Sequence, residues 1–432
     1  MQVTKEQVDP CTITLDIQVE VEAVTKAFDR AYREFGGFTN VPGFRPGKAP
    51  RAMLEKFVNQ TRLTERVREL LAGPAYRDAI KQEEINPFAD PEVEFSDLAN
   101  NQQWHFKATV PLPPQVKLGD YSKISVERPV YKASDEDILS QIEAMRNDQA
   151  KLEAVTGRGV EQDDVIIAET SVTLEGDEPS EPKRTLIRLG NNIPGFDEAV
   201  LAQQVDEERD FVLTYPDDYQ EADLAGKRAS FMVRVMSINR RVVPELTDEW
   251  VKGATAFQTV KELKKDVSER LQETYKNLSD QVAEARIIEQ IIKASTIDFP
   301  TVMVHEEMEA LAQELGEEIK DKMTYEEYLK RSGLTGEQHR EKLASQAVDR
   351  IQSTLALREL AKAENLQSSP EEIDEEFDKL TAGSEVTKEQ LAKLKADNQR
   401  RNQVANIIVK RKLRDFMFSK AKIKDVAAAE KK

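Results

Sequence analysis

Two hydrophobic patterns follow each other at the start of the chain. Apolar and polar residues alternate from Cys11 to Ile17, which is typical of a strand with one buried face. Apolar residues then recur at steps of three and four from Val24 to Phe35, directly before Gly36 and Gly37. This spacing predicts an amphipathic helix that ends at the two glycines.

The rest of the first third mixes helical and strand patterns. Apolar spacing from Met53 to Leu71 predicts one or two helices, and Gly73 with Pro74 predicts a break before a further helical run to Ile85. Strand patterns return around residues 93–95 and 104–110. The prolines of residues 111–114 then predict a linker, so these elements form one α+β domain.

Short strand patterns dominate the middle of the chain. Residues 126–130 predict a strand, and Ser134 followed by three acidic residues predicts the start of a helix. Between residues 163 and 239 the strand patterns lie at residues 165–167, 185–187, 211–213 and 231–235. This segment is predicted to be a small β-rich domain.

Beyond Trp250 the pattern is almost wholly helical. Thr259 with Glu262 predicts a capping box, and apolar residues from Val260 to Ile288 predict one long helix with a single apolar stripe. Further capping boxes are predicted at Thr324 with Glu327, Thr335 with Gln338, Ser369 with Glu372, and Thr387 with Gln390. The stripes within residues 304–319 and 343–355 predict two helices that pack against each other.

These patterns predict a multidomain α+β protein that is mostly helical. The predicted order is an α+β domain (residues 1–111), a linker segment (112–160), a small β-rich domain (161–241) and an extended all-α region with long arms (242–432). A chain of 432 residues exceeds what one hydrophobic core usually organises, which agrees with several domains.

Composition and charge exclude several classes of function. The net charge of −18 argues against a general nucleic-acid binder, so we expect no DNA partner and only local RNA contact. A single cysteine, Cys11, excludes an intrachain disulfide and fits a cytoplasmic location. His105, His305 and His339 are far apart and are expected at the surface or its boundary, so no metal site is predicted. Neither a membrane span nor an ATP-binding motif is present, and no cofactor is expected.

A loop rich in proline and glycine reverses the charge of the chain locally. Residues 41–50 hold three prolines and two glycines, which exclude a helix or an interior strand. Between residues 41 and 56 the cations Arg45, Lys48, Arg51 and Lys56 outnumber the single acid Glu55. The loop could dock on phosphate or acidic protein, or it could simply connect two helices.

The same loop resembles the GFRxGxxP ribosome-docking signature of bacterial trigger factors. The matching residues are Gly43, Phe44, Arg45, Pro46, Gly47 and Pro50, with Lys48 among them as a second cation. The resemblance implies that this loop binds the large ribosomal subunit beside the polypeptide exit tunnel, touching a ribosomal protein and nearby RNA. It also implies that residues 1–111 form a ribosome-binding domain, and that residues 112–160 and 242–432 form a chaperone domain for nascent and unfolded polypeptides.

Residues 189–200 resemble the turn and short helix below the pocket of FKBP-type prolyl isomerases. This resemblance implies an isomerase-like domain at residues 161–241, with an apolar pocket formed by Ile193, Phe196, Tyr219 and Phe231. Such a pocket can favour the twisted amide by removing water, without a titrating base. Glu169 departs from the family pattern and is expected toward the cavity unless the register of the strand differs. The polar segment 175–185 replaces the usual flap. The alternative, in which these residues only fill a core, stays open.

The leading hypothesis is an ATP-independent, ribosome-associated chaperone that shields apolar segments of nascent chains. A prolyl isomerase whose helices only orient its clients is the second hypothesis, and a helical scaffold protein is the third. For the free protein, a monomer and a weak homodimer both stay open.

Overall fold

The computed structural model describes residues 1–45, 47–174, 180–190, 192–216, 219, 224–382 and 387–428. These residues form two compact units. One contains Met1–Pro129 and Asp280–Val426, and the other contains Val130–Ser279. The chain is a multidomain α+β protein with many helices and several small sheets, as predicted. The four domain boundaries stay a prediction.

The first unit begins with an antiparallel sheet and three helices. In chain order these elements are β1 (Gln2–Asp9), β2 (Thr12–Val19), α1 (Val21–Gly36), α2 (Arg51–Leu54), α3 (Gln60–Gln82), β3 (Glu92–Phe95) and β4 (Trp104–Pro111). The strands lie in the order β1-β2-β4-β3, and Leu15 of β2 lies opposite Lys5 and Ala108. The predicted alternation of β2 is confirmed, because Ile13, Leu15 and Ile17 are buried.

Helices α1 and α3 share one hydrophobic core with this sheet. The end of α1 at Gly36 is confirmed, and Gly37 forms its C-terminal cap. The break predicted at Gly73 and Pro74 is wrong, because α3 continues through both residues. Ala75 and Ala79 are buried in the core beyond the proline, and this packing offsets the backbone hydrogen bond that a proline cannot donate.

The middle of the chain folds around a five-stranded sheet. In chain order the elements are β5 (Gln115–Lys117), β6 (Ser125–Val130), α4 (Asp135–Asp148), β7 (Lys151–Val155), β8 (Val165–Leu174), β9 (Lys183–Arg188), α5 (Phe196–Val200), β10 (Glu208–Thr214), β11 (Arg228–Val242), α6 (Asp248–Ala254) and α7 (Val260–Ala294). The sheet order is β10-β11-β8-β9, and β7 also pairs with β11. The predicted β-rich segment is therefore confirmed, with Ile166, Ala168 and Val233 in its core.

Helices dominate the remainder. The elements are β12 (Thr296–Asp298), α8 (Thr301–Ile319), α9 (Tyr325–Ser332), α10 (Gly336–Ala363), α11 (Pro370–Thr381), α12 (Lys388–Ala396), α13 (Asn398–Lys420) and β13 (Lys422–Ala427). The strand β12 pairs with β5, and β13 pairs with β6. The predicted packing of two helices is confirmed by α8 and α10. All four capping boxes predicted beyond residue 320 are present.

The single stripe predicted for α7 is confirmed only in its first half. Leu263 and Val267 are buried, but Leu278 is 38% exposed and the buried residues further on are Ala283 and Ile287. The two halves pack in different hydrophobic clusters, so one continuous stripe is not required.

His339 differs from its predicted place at the surface. It is 4% exposed, and its Nδ1 lies 2.8 Å from the hydroxyl of Tyr325. The ring of Tyr328 meets the imidazole edge-on at 5.5 Å. A polar partner and aromatic packing together compensate for the burial of this imidazole.

Candidate functional site

Backbone hydrogen bonds close the loop of residues 41–50. The N–H of Gly47 donates to the carbonyl of Gly36 over 2.9 Å, which ties the loop to the end of α1. Within the loop, Lys48 donates to the carbonyl of Arg45 over 3.0 Å. Val41 is 2% exposed and anchors the entry of the loop in the core. The loop is thus ordered without using its charged side chains.

The two glycines of this loop are required by their backbone angles. Gly43 has φ +85° and Gly47 has φ +79°, a region that side-chain-bearing residues rarely adopt. A Cβ at either position would meet no atom within 4 Å. The requirement is therefore conformational and not steric.

Arg51 directly follows the loop and is held against α1, which the charge count did not show. Its guanidinium forms an ion pair with Asp29 and another with Glu55 at 3.1 Å. It also lies over the ring of Tyr32, 4.7 Å from the centroid. Burial raises the pKa of the Tyr32 hydroxyl, and the charge of Glu55 adds to this effect. The charge of Arg51 is thus used inside the protein.

The side chains of the docking signature stand away from the core. Phe44 is 39% exposed, and Arg45 and Lys48 are exposed. Within the described residues, neither cation forms an ion pair. Pro46 belongs to the signature but lies outside the described residues. The loop therefore presents one partly exposed ring and two uncompensated positive charges.

A separate cavity in the second unit brings together all four residues predicted for an apolar pocket. Its volume is about 370 Å³. The cavity is lined by Asn192, Ile193, Pro194, Phe196, Tyr215, Pro216, Tyr219 and Phe231. Sequence reasoning did not select Tyr215, although its spacing of four residues from Tyr219 is a usable signal.

Aromatic rings fix the walls of this cavity. Phe196 meets Phe231 edge-on, with ring centroids 5.8 Å apart, and Phe211 stacks on Phe231 at the same separation. The rings of Tyr215 and Tyr219 lie 4.7 Å apart. Phe196 is 7% exposed and Phe231 is 6% exposed, so the walls are also part of the hydrophobic core.

A tight turn positions the floor of the cavity. Gly195 has φ +88°, and a Cβ there would lie 2.9 Å from a methyl group of Leu213. The carboxylate of Asp197 accepts hydrogen bonds from the N–H of Gly190 at 2.7 Å and from the amide of Asn192 at 2.6 Å. These bonds hold Phe196 at the start of α5.

Glu169 does not lie where the sequence predicted. Ala168 is fully buried in the core of the sheet, and Glu169 lies outside the cavity lining. Along a strand successive side chains point to opposite faces, so the inward position belongs to Ala168. Glu169 pairs in register with Arg184 and Arg234 on the neighbouring strands. Of the polar flap segment 175–185, residues 175–179 lie outside the described residues.

This cavity can act on a substrate by excluding water. Among the described residues its lining has aromatic and aliphatic side chains, one amide and two tyrosine hydroxyls, and no carboxylate, lysine or histidine. An apolar cavity of this kind favours the less polar, twisted form of an amide over the planar form. Searches of the described ranges found no group of three or more His, Cys, Asp or Glu residues placed to hold a metal. They also found no helix long and apolar enough to cross a membrane.

Comparisons with known proteins point to one family over nearly the whole chain. The family model described as "Bacterial trigger factor protein (TF)" matches residues 1–145, and the model of its C-terminus matches residues 259–419. The trigger factor of Halothermothrix orenii is 33% identical over 423 residues, which cover 96% of this chain and 98% of that protein. The trigger factor of Carboxydothermus hydrogenoformans is 32% identical over 427 residues, covering 98% and 100%. A solved structure of the trigger factor chaperone is 21% identical, with a TM-score of 0.49 and coverage of 97% and 99%.

Proposed function

Because this chain belongs to the trigger factor family, we propose that it is an ATP-independent, ribosome-associated chaperone of the cytoplasm. It binds the large ribosomal subunit beside the exit tunnel and shields apolar segments of nascent chains. The observation that carries this proposal is the closed loop of residues 41–50, which presents Phe44, Arg45 and Lys48 away from the core.

The loop suits docking because its conformation exists before binding. Its backbone is held by the Gly36–Gly47 and Arg45–Lys48 hydrogen bonds, so little conformational entropy is lost when it docks. Among the described residues, Arg45 and Lys48 have no ion-pair partner to give up. Phosphates of RNA or carboxylates of a ribosomal protein can therefore compensate their charge directly.

Client binding is proposed for the helical part. Along α8 several apolar side chains are only partly buried, including Met308 and Leu311. Leu311, Leu315, Leu343 and Tyr328 line a hollow of about 200 Å³ between helices. Such surfaces give weak and adaptable contacts, which allow release without nucleotide hydrolysis.

Ribosome co-sedimentation tests the docking proposal. A variant with Phe44→Ala, Arg45→Ala and Lys48→Ala should lose most of its binding to the large subunit. A matched control removes one exposed ring and two exposed lysines elsewhere in the N-terminal region, with Phe88→Ala, Lys81→Ala and Lys107→Ala. Equal binding by both variants would refute docking through the loop.

An aggregation assay tests the chaperone proposal separately. Without ribosomes, the loop variant should suppress aggregation of an unfolded client as well as the wild type does, because its helical part is unchanged. If the wild type gives no protection, the holding function is wrong even when docking is confirmed.

Prolyl isomerisation is a second candidate function, favoured by the aromatic cavity at Phe196 and Phe231. The peptide rotation barrier is about 18–20 kcal/mol, and a water-free apolar cavity lowers it. The test is the cis/trans relaxation of a proline peptide. Tyr219→Ala should slow the catalysed relaxation, while Val212→Ala on the exposed face of β10 should not. Relaxation at the uncatalysed rate with wild-type protein would reject this activity and leave the chaperone proposal intact.

A further inference from the structure

Phe38 is an exposed aromatic residue that the docking signature does not contain. Its exposed fraction is 94%, against 39% for Phe44. Its backbone is nevertheless ordered, since its N–H donates to the carbonyl of Phe35 over 3.0 Å. A ring held in water by an ordered backbone has no role in the core and is free to contact a partner.

Phe38 belongs to the same closed loop as the docking cations. The hydrogen bond between Gly36 and Gly47 closes the segment between these two residues, and Phe38 lies two residues after Gly36. Lys48 lies one residue after Gly47. Since each residue spans at most about 3.6 Å, both side chains leave the backbone close to that bond.

Three acidic residues of the helices that flank this loop are paired within the protein. Arg51 holds Asp29 and Glu55, and Arg66 holds Glu34 at 2.9 Å. These carboxylates therefore contribute little net negative charge to the surface. The charge left at the loop is positive, in a chain whose net charge is −18.

A fully open ring beside free cations matches the chemistry of an unstacked nucleobase with its phosphates. An aromatic anchor for a protein pocket works best inside a neutral ring of residues that excludes water. The loop that contains Phe38 instead carries Arg45 and Lys48 as exposed cations. With 94% of the side chain exposed, a face of the ring is open to a planar partner.

We infer that Phe38 stacks on an unpaired base of ribosomal RNA, while Arg45 and Lys48 bind the flanking phosphates. This inference rests on the proposed docking to the ribosome. It extends the docking surface beyond residues 43–50 and assigns Phe38 a nucleobase as its partner.

Three substitutions at this position separate stacking from general apolar contact. Binding of the full-length protein to purified large ribosomal subunits is measured by fluorescence anisotropy. Phe38→Ala and Phe38→Leu should each weaken binding about tenfold, and Phe38→Trp should keep it, because base stacking needs a π face. Phe88→Ala is the matched control for loss of an exposed ring. Full binding by Phe38→Leu would overturn the inference in favour of an apolar protein contact.

A crosslink identifies the partner directly. With a photoreactive benzophenone amino acid in place of Phe38, irradiation on large subunits should yield a crosslink that stops primer extension on ribosomal RNA. Crosslinks to ribosomal proteins alone would overturn the inference. If an Arg45→Ala, Lys48→Ala variant binds like the wild type, the docking proposal itself fails. If that variant is weakened and Phe38→Ala is not, only the stacking inference fails.

Discussion

The loop of residues 41–50 and the aromatic cavity both present phenylalanine rings, but their rings are placed differently. In the loop Phe44 is 39% exposed and stands outside the buried core. In the cavity Phe196 and Phe231 are 7% and 6% exposed and belong to the core of their sheet. The loop is held by its backbone hydrogen bonds, whereas the cavity is held by the same rings that line it.

This difference decides whether function and stability can be separated by mutation. The exposed loop side chains Phe44, Arg45 and Lys48 can be removed with little loss of packing, so their effect should appear mainly in binding. Cavity rings cannot be removed without leaving a void. An inactive variant of the cavity must therefore be checked for folding before its loss of activity is interpreted.

The largest expected effect is on the stability of the second unit. Phe231→Ala should lower the free energy of unfolding by about 3–5 kcal/mol, the usual cost of removing a buried phenylalanine ring. Phe44→Ala should change it by less than about 0.5 kcal/mol, as surface substitutions do. Calorimetry on the full chain measures both. A large loss of stability for Phe44→Ala would contradict the separation drawn between the two sites.

The residues that form both sites were predicted from the sequence, but many of the contacts that hold these residues in place were not. The loop was found because its signature is local, and short local signatures do not depend on distant parts of the chain. Arg51 was counted as a free docking charge, since no sequence pattern shows that Asp29 lies beside it. Tyr215 was missed because its position beside Phe231, 5.9 Å away, depends on the pairing of β10 with β11.

The strands show the same contrast between features that a local pattern predicts and features that depend on pairing with other segments. The strand β2 was predicted because its residues alternate between core and surface. The strand β1 was not predicted, since all its residues except Val3 are exposed and its stability comes from backbone pairing with β2. Glu169 was assigned to the wrong face of β8 for a related reason. A shift of one residue along a strand moves each side chain to the opposite face of the sheet.

The next effect compares an ion pair of the unit that holds the cavity with those of Arg51. Arg158 binds Asp164 through two hydrogen bonds of 2.6 and 3.0 Å, and Asp164 is 2% exposed. Arg158→Met should cost about 3 kcal/mol of unfolding free energy, because it leaves a buried carboxylate without its partner. Arg51→Met should cost less, about 1 kcal/mol or below, since its partners are more exposed. Similar losses for both variants would contradict this ranking.

The ion pair of Arg158 and Asp164 makes the stability of the protein depend on pH, with a defined sign. Burial alone would raise the pKa of Asp164, but hydrogen bonds from Arg158 and from the N–H of Glu161 outweigh it and hold the pKa below its ordinary 3.8. A carboxyl whose pKa is lower in the folded state stabilises the protein above its unfolded pKa, and this stability is lost as pH falls through the folded pKa. Asp164→Asn should therefore be less stable than wild type at pH 7 and lose less stability below pH about 4. An identical acid dependence in urea titrations would exclude this role.

A smaller effect distinguishes the glycines of the two sites. Gly43→Ala and Gly195→Ala each place a side chain at positive φ, which costs about 1–2 kcal/mol. At Gly195 the new Cβ also lies 2.9 Å from a methyl group of Leu213, so the cost should be larger there. Gly195→Ala should lower the unfolding temperature more than Gly43→Ala does, and only Gly43→Ala should also weaken ribosome binding. The reverse assignment would mean that the loop, and not the turn, carries the stability.

The smallest effect is a change in the salt dependence of ribosome binding. If Arg45 and Lys48 each neutralise a phosphate, replacing either by alanine should reduce the slope of log affinity against log salt by about 1. Arg51→Ala serves as the control and should leave the slope unchanged, because its charge is already compensated by Asp29 and Glu55. Weaker binding with an unchanged slope for Arg45→Ala and Lys48→Ala would place both cations against a protein surface. Their loss would then act through direct hydrogen bonds, and the RNA contact of the loop would rest on other groups.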